Sequence, residues 1–400
     1  MKIFHPTKQV GPREFIALIA LLMSIAAMSI DAMLPALGHI GTDLGATNPN
    51  QPQLVVTCIF LGMAIGQLIC GPLSDAIGRK PILTYTIALY LVGTVVCLMS
   101  ESMPMILFGR VLQGLGVSGP YVCSMSVVRD KFHGRQMAKV MSLVTMIFIM
   151  VPAIAPALGQ GILAISSWRG IFVLYLVYAV VISLWVALRL TETLPQSSRV
   201  PFSLKNIRKG ITKVFTTRTT FCYMICMGLT FGGLMGYLTS AQQIFQSHFN
   251  VGEYFALCFG GLALMFGVSS MVNARLVERL GMRPLCRRAM LANIVTSAIF
   301  VGLCLFTQPS LWMFLLYCAI IFFNFGMLFG NLNALAMEPM GHIAGLAAAI
   351  IGAFSSVLSL SMGTAIGQMY NDTLLPIAAG FLVLGALSYV VFQQADKTAN

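Results

Sequence analysis

Gly71-Pro72-Leu73-Ser74-Asp75-Ala76-Ile77-Gly78-Arg79-Lys80-Pro81 joins one long apolar run, 54–74, to another, 82–100. Its glycines permit a tight turn, and its opposite charges can tie neighbouring helix ends together. The string predicts a connection between two membrane helices in which Gly71, Asp75, Gly78, Arg79 and Lys80 work as a gate, with Asp130 as the nearest candidate partner for Arg79. Its plainer reading is topogenic charge with a helix cap. The pattern recurs: a shift of 203 residues lays Leu73, Asp75, Gly78, Lys80 and Pro81 onto Leu276, Glu278, Gly281, Arg283 and Pro284. A duplicated loop implies a duplicated unit.

Working outward, apolar runs of spanning length occupy 14–35, 54–74, 82–100, 103–127, 139–163, 170–190, 220–240, 255–276, 286–306, 311–336, 343–367 and 374–392. About 20 apolar residues cross the hydrocarbon of a bilayer, so these predict twelve transmembrane helices. Composition agrees, with 58% hydrophobic and 9% charged residues in 400, against about 25% charged in soluble domains. The apolarity is continuous and lacks the alternation of barrel strands, which predicts an all-α membrane protein. The first run is too long for a signal peptide and lacks a cleavage pattern, so it counts as a span. The duplicated loops follow spans 2 and 8, which predicts two pseudo-symmetric six-helix bundles, 1–190 and 220–400, joined by a basic cytoplasmic linker over 191–219. In that arrangement a substrate path lies between the halves, and a monomer suffices.

The net charge of +12 raises the possibility of nucleic acid, and placement of the charge argues against it. With the N-terminus inside, all but Arg110 and Arg169 of the 24 Lys and Arg fall in the tails and the loops of one side. The opposite loops carry Asp43, Glu101, Glu253 and Asp372. This is the positive-inside pattern, with both termini cytoplasmic. The ten cysteines lie in or beside spans with no Cys-x-x-Cys pair, and they read as small packing residues. No Gly-Lys-Ser/Thr phosphate loop and no His-Glu-x-x-His string occurs, so ATP drive, metal catalysis and a resident cofactor lack support. The histidines His5, His39, His133, His248 and His342 fall in tails or near span ends.

Among the ionisable residues in apolar runs, two qualify clearly as candidates away from the inner ends of their spans, Asp31 and Arg110. Charges in hydrocarbon are expensive and mark candidate function. Counted from the inner ends of their spans, about 17 and 19 residues away, they lie within roughly 3 Å of equal depth. They are expected to form a charge-assisted pair that a proton can break. The alternative for Asp31 is a structural polar group near the outer end of its span. Gln67, Gln113, Tyr121, Asn331 and Asn333 are uncharged polar groups in spans, suited to a substrate cavity or to interhelical hydrogen bonds.

Gly71 to Pro81 resembles the signature loop between spans 2 and 3 of the major facilitator superfamily, and the copy ending at Pro284 matches its second occurrence. Arg110-Val111-Leu112-Gln113-Gly114-Leu115-Gly116 is similar to the span 4 motif of proton-coupled members, which implies a proton-transfer role for Arg110. Pro152-Ala153-Ile154-Ala155-Pro156-Ala157-Leu158-Gly159-Gln160-Gly161 resembles the span 5 antiporter motif of drug exporters, which implies a hinge at Pro152, Pro156 and Gly159. It departs from the motif at Ala155 and Gln160. Asp31-Ala32-Met33-Leu34-Pro35-Ala36 and Glu338-Pro339-Met340-Gly341-His342 resemble the bicyclomycin and chloramphenicol resistance branch of the drug:proton antiporters.

The resemblance implies a multi-pass protein of the bacterial inner membrane that exchanges small organic molecules for protons by alternating access, without being an enzyme. Alternatives of the same fold are an exporter of one metabolite, such as a siderophore, and a proton-coupled nutrient importer. A membrane enzyme or receptor would need a catalytic cluster or a soluble domain, and the sequence offers neither.

Overall fold

A computed structural model describes residues 11–132 and 134–399, so Lys2, His5, Lys8 and His133 lie outside the described residues, as does the side chain of His342. Fourteen α-helices follow in order: α1 Pro12–Asp31, α2 Leu37–Asp43, α3 Leu54–Ile77, α4 Arg79–Leu98, α5 Met103–Lys131, α6 Gly134–Ile165, α7 Arg169–Arg189, α8 Leu204–Thr216, α9 Arg218–Gln242, α10 Phe255–Leu280, α11 Met282–Phe306, α12 Leu311–Met337, α13 Ala344–Gln368 and α14 Leu375–Ala399. No strand occurs among the described residues. Among the described residues, twelve helical segments are long and apolar enough to span a membrane. The exposed side chains of Val177, Val181 and Leu184 on α7, and of Val295 and Ile299 on α11, suit hydrocarbon as their solvent.

The chain divides into two compact units, one ending at Leu204 and one beginning at Lys205, and each holds six spans. Inside the first unit, α5 packs against both α3 and α4 at backbone contact. A Cβ on Gly114 would lie 2.1 Å from the Ile59 carbonyl oxygen of α3, and one on Gly116 would lie 2.4 Å from the Tyr90 nitrogen of α4. These glycines seat α5 between its neighbours and hold Arg110 inside the bundle. In the second unit α9 packs along α13, with α14 and α12 beside it.

The duplicated loop has a local cause. Gly78 alone separates α3 from α4, and Gly281 alone separates α10 from α11. Both take left-handed backbone, φ 120° and φ 78°, which ends one helix and starts the next without a spacer.

Two expectations need correction. The first span does not stop near residue 35 but runs from Pro12 to Asp43, broken by a 3₁₀ turn at Leu34–Ala36. Asp31 therefore stands at an internal break. The polar segment 191–219 also contains helix α8, whose Gly210 and Val214 are buried.

Candidate functional site

Arg110 is fully buried and binds through uncharged acceptors. Its Nε donates to the Val55 carbonyl of α3 at 3.0 Å, Nη1 to Gln113 Oε1 at 2.9 Å, and Nη2 to the Ser29 carbonyl of α1 at 2.9 Å. A second layer holds these partners. Gln113 Nε2 donates to Thr94 Oγ1 at 2.8 Å, Ser29 Oγ and Tyr90 Oη share a 2.6 Å hydrogen bond, and Tyr175 Oη donates to the Ser29 carbonyl at 3.3 Å. One guanidinium thus ties together α1, α3 and α5, while its partners reach α4 and α7.

The Ser29 carbonyl is available because α1 ends two residues later. Pro35 has no N–H to offer the carbonyl of Asp31 four residues earlier, and its ring disfavours a continued helix there. The last carbonyls of α1 are left without intrahelical partners, and a cation at a helix C-terminus is favoured by the peptide dipoles. The break in α1 therefore creates the seat for Arg110.

Asp31 is 5% exposed, and its carboxyl has no hydrogen bond or ion pair among the described residues. The expected Asp31–Arg110 ion pair is absent, because the guanidinium is committed to the two carbonyls and the amide. Against this break lies α6. A Cβ on Gly159 would fall 2.0 Å from the Ala32 carbonyl oxygen, so the span 5 glycine is in backbone contact with the residue after Asp31. Pro152 and Pro156 lie inside α6 about two turns and one turn before it respectively, with Pro156 buried and Pro152 partly exposed.

At the charged end of the first unit Arg79 is 3% exposed and is held by two carboxylates and a hydroxyl. Its Nη1 lies 2.5 Å from Asp75 Oδ1 and 2.7 Å from Ser74 Oγ, and Nε is 3.0 Å from Asp130 Oδ2. Lys80 Nζ donates to the Ala187 carbonyl at 2.9 Å. Gly71 is half-buried at the end of α3.

Sequence reasoning missed Glu192. Its carboxylate accepts the Arg79 and Lys80 amides at the start of α4, each at 3.0 Å, and those of Thr193 and Leu194, each at 2.9 Å. A carboxylate on the first amides of a helix meets both unpaired donors and the positive end of the dipole. Thr193 Oγ1 adds a bond to Asp130, and the Val200 amide donates to the Asp75 carbonyl.

The second unit carries its own set: Arg287 Nη2 to Asp396 Oδ2 at 2.5 Å, Arg283 Nε to Asp396 Oδ1 at 3.7 Å, and Arg283 Nη2 to Glu338 Oε2 at 3.8 Å. The repeat shift of 203 places Glu192 one residue from Asp396, the signal that could have revealed it.

The polar residues read as cavity-lining are dispersed. Gln113 belongs to the Arg110 network and is fully buried, which removes it from any open wall. Asn331 is buried and donates to Asn273 Oδ1 and the Met327 carbonyl, each at 2.8 Å. Asn333 is exposed, while Gln67 and Tyr121 are partly exposed. Arg169, the second exception to the charge pattern, donates to the Ser100 carbonyl and stacks 4.2 Å over Trp168, whose Nε1 binds Asp43. It is a tie between loops.

Residues 19–367 match the Major Facilitator Superfamily family model. Among curated relatives, an uncharacterized MFS-type transporter YdgK of Bacillus subtilis is 30% identical over 94% of this chain and 93% of its own. A bicyclomycin resistance protein homolog of Haemophilus influenzae is 26% identical over 94% and 95%. The multidrug resistance protein MdtL of Shigella dysenteriae is 28% identical over 83% and 82%. Among solved structures, the xylose transporter XylE of E. coli superposes with a TM-score of 0.73 at 13% identity, covering 95% of this chain and 97% of its own. The human organic anion transporter MFSD10 gives 0.72 at 15%, covering 97% and 100%. With twelve spans in two six-helix units and a family match across most of its length, the chain is a multi-pass membrane protein that belongs to the major facilitator superfamily.

Proposed function

We propose that this chain is a proton-coupled efflux transporter of small organic molecules, working as a monomer by alternating access in a bacterial inner membrane with its basic loops cytoplasmic. The observation that carries the reading is the break in span 1. A buried carboxyl without a partner among the described residues stands two residues from a carbonyl held by a buried arginine. An uncompensated buried carboxylate is costly, so this arrangement suits the proton-loaded acid. On losing its proton, Asp31 would compete with the Ser29 carbonyl for Arg110 Nη2, because a charge-assisted bond is stronger than a neutral one. Span 1 would then shift against Gly159 of α6. The names of two curated relatives, a bicyclomycin resistance protein homolog and a multidrug resistance protein, support drugs as cargo.

The test is proton movement in everted vesicles energised acid inside, with a panel of drugs and metabolites added to wild type and Asp31→Asn. Proton release that depends on a compound in wild type and vanishes in Asp31→Asn is the expected result. Undiminished compound-driven release from Asp31→Asn would remove Asp31 from the coupling step.

A further inference from the structure

We propose that α8 is a lipid-binding surface that engages the anionic headgroups of the membrane leaflet at its own end of the protein. Between Glu192 and Glu253 the chain has no acidic residue, and Arg199, Lys205, Arg208, Lys209, Lys213 and Arg218 fall in that interval. The helix within it is sorted by face. Gly210 and Val214 are buried, Ile211 and Phe215 are exposed at 40% and 38%, and Lys205, Arg208, Lys209 and Lys213 are exposed. At about 100° per residue the order around the helix is a packed seam, an exposed apolar strip, then a basic face. That order describes a helix lying in a membrane interface.

The seating of α8 identifies what meets the apolar strip. A Cβ on Gly210 would lie 2.4 Å from Leu346 Cδ2 and 3.3 Å from Ile350 Cδ1, and the Phe215 ring stands 5.1 Å from that of Phe354. Leu346, Ile350 and Phe354 form one stripe along the first turns of α13, a membrane-spanning helix. The strip of Ile211 and Phe215 therefore flanks a span at the depth where hydrocarbon gives way to headgroups. Four exposed cations without a carboxylate among them face the same layer, and anionic lipid supplies the complementary charge. A nucleic acid or an acidic protein would satisfy the charge and would leave the apolar strip unexplained.

The test is hydrogen exchange of the full-length protein in nanodiscs of phosphatidylcholine, with and without phosphatidylglycerol. Amides of residues 204–216 are expected to exchange about ten-fold more slowly in the anionic discs, with the difference shrinking at high salt as the headgroup charge is screened. The combined variant Lys205→Gln, Arg208→Gln, Lys209→Gln and Lys213→Gln should lose the effect, with exchange along 346–354 unchanged as the sign of a folded helix pair. Equal exchange of wild type in both discs at low salt overturns the proposal whatever the variant does. So does protection that persists in the variant, or protection reproduced in phosphatidylcholine discs by an acidic peptide or an RNA oligonucleotide.

Discussion

Arg110 shows how much a single side chain organises here. Its three bonded nitrogens fix three acceptors at 2.9 to 3.0 Å, two of them backbone carbonyls on other helices. A lysine is a compact point charge without the planar fork, and cannot satisfy all three positions. Arg110→Lys is expected to leave at least one buried acceptor unpaired, costing about 1–3 kcal/mol, and to lower transport at least about ten-fold. Thermal unfolding in detergent and vesicle transport check the two effects separately. Full transport in Arg110→Lys would mean that charge alone is sufficient. Asp31 and Arg110 were legible in the sequence because ionisable groups are rare in apolar runs. Their geometry was not, because equal depth suggested a pair, whereas the guanidinium is taken by carbonyls that only a broken helix exposes. Ser29, Tyr90 and Tyr175 carry no sequence signal of their own, since Ser and Tyr are ordinary in spans and matter here only through tertiary contacts.

At the scale of the element, the instructive case is span 1. A proline and two glycines within 35–41 read as the end of the span, yet Leu37 and Ile40 are buried and α2 extends it to Asp43. A Cβ on Gly41 would lie 2.6 Å from Pro52 Cγ, so packing against the turn at Gln51–Gln53 sustains a segment that local propensity disfavours. Helix α8 escaped notice for the complementary reason: Gly210 and four exposed cations read as linker, while its burial depends on α13. The break in span 1 itself makes a prediction. Pro35→Ala restores an N–H four residues after Asp31 and permits a continuous helix, which withdraws the Ser29 carbonyl from Arg110 and rotates the residues beyond. The variant is expected to insert and remain folded, with unfolding temperature equal to or above that of wild type, while driven transport falls at least about ten-fold, since proline inside a helix costs about 3 kcal/mol. Wild-type transport with a stabilised fold would show that the break is dispensable.

Across the whole chain, the duplication visible in two short loops extends to their partners, and the copies have diverged in burial. In the first unit Arg79 is 3% and Asp130 15% exposed, and Glu192 closes the start of α4. In the second unit Arg283 and Arg287 are 31% and 52% exposed around Asp396 at 14%. Breaking a buried pair costs about 3–5 kcal/mol, and loss of Asp130, which leaves buried Arg79 with Asp75 alone, should cost part of that, whereas exposed pairs contribute about 0–1 kcal/mol. Asp130→Asn should therefore lower the unfolding temperature in detergent far more than Asp396→Asn, and the gap should survive added salt, because the Arg79 site is shielded from counterions. The proposed gate then belongs chiefly to the first unit, and the second copy acts as a weaker tie that opens at little expense. Equal losses in the two variants, both reduced by salt, would instead make the copies equivalent surface latches and return the plainer reading of topogenic charge to the loop at Gly71–Pro81.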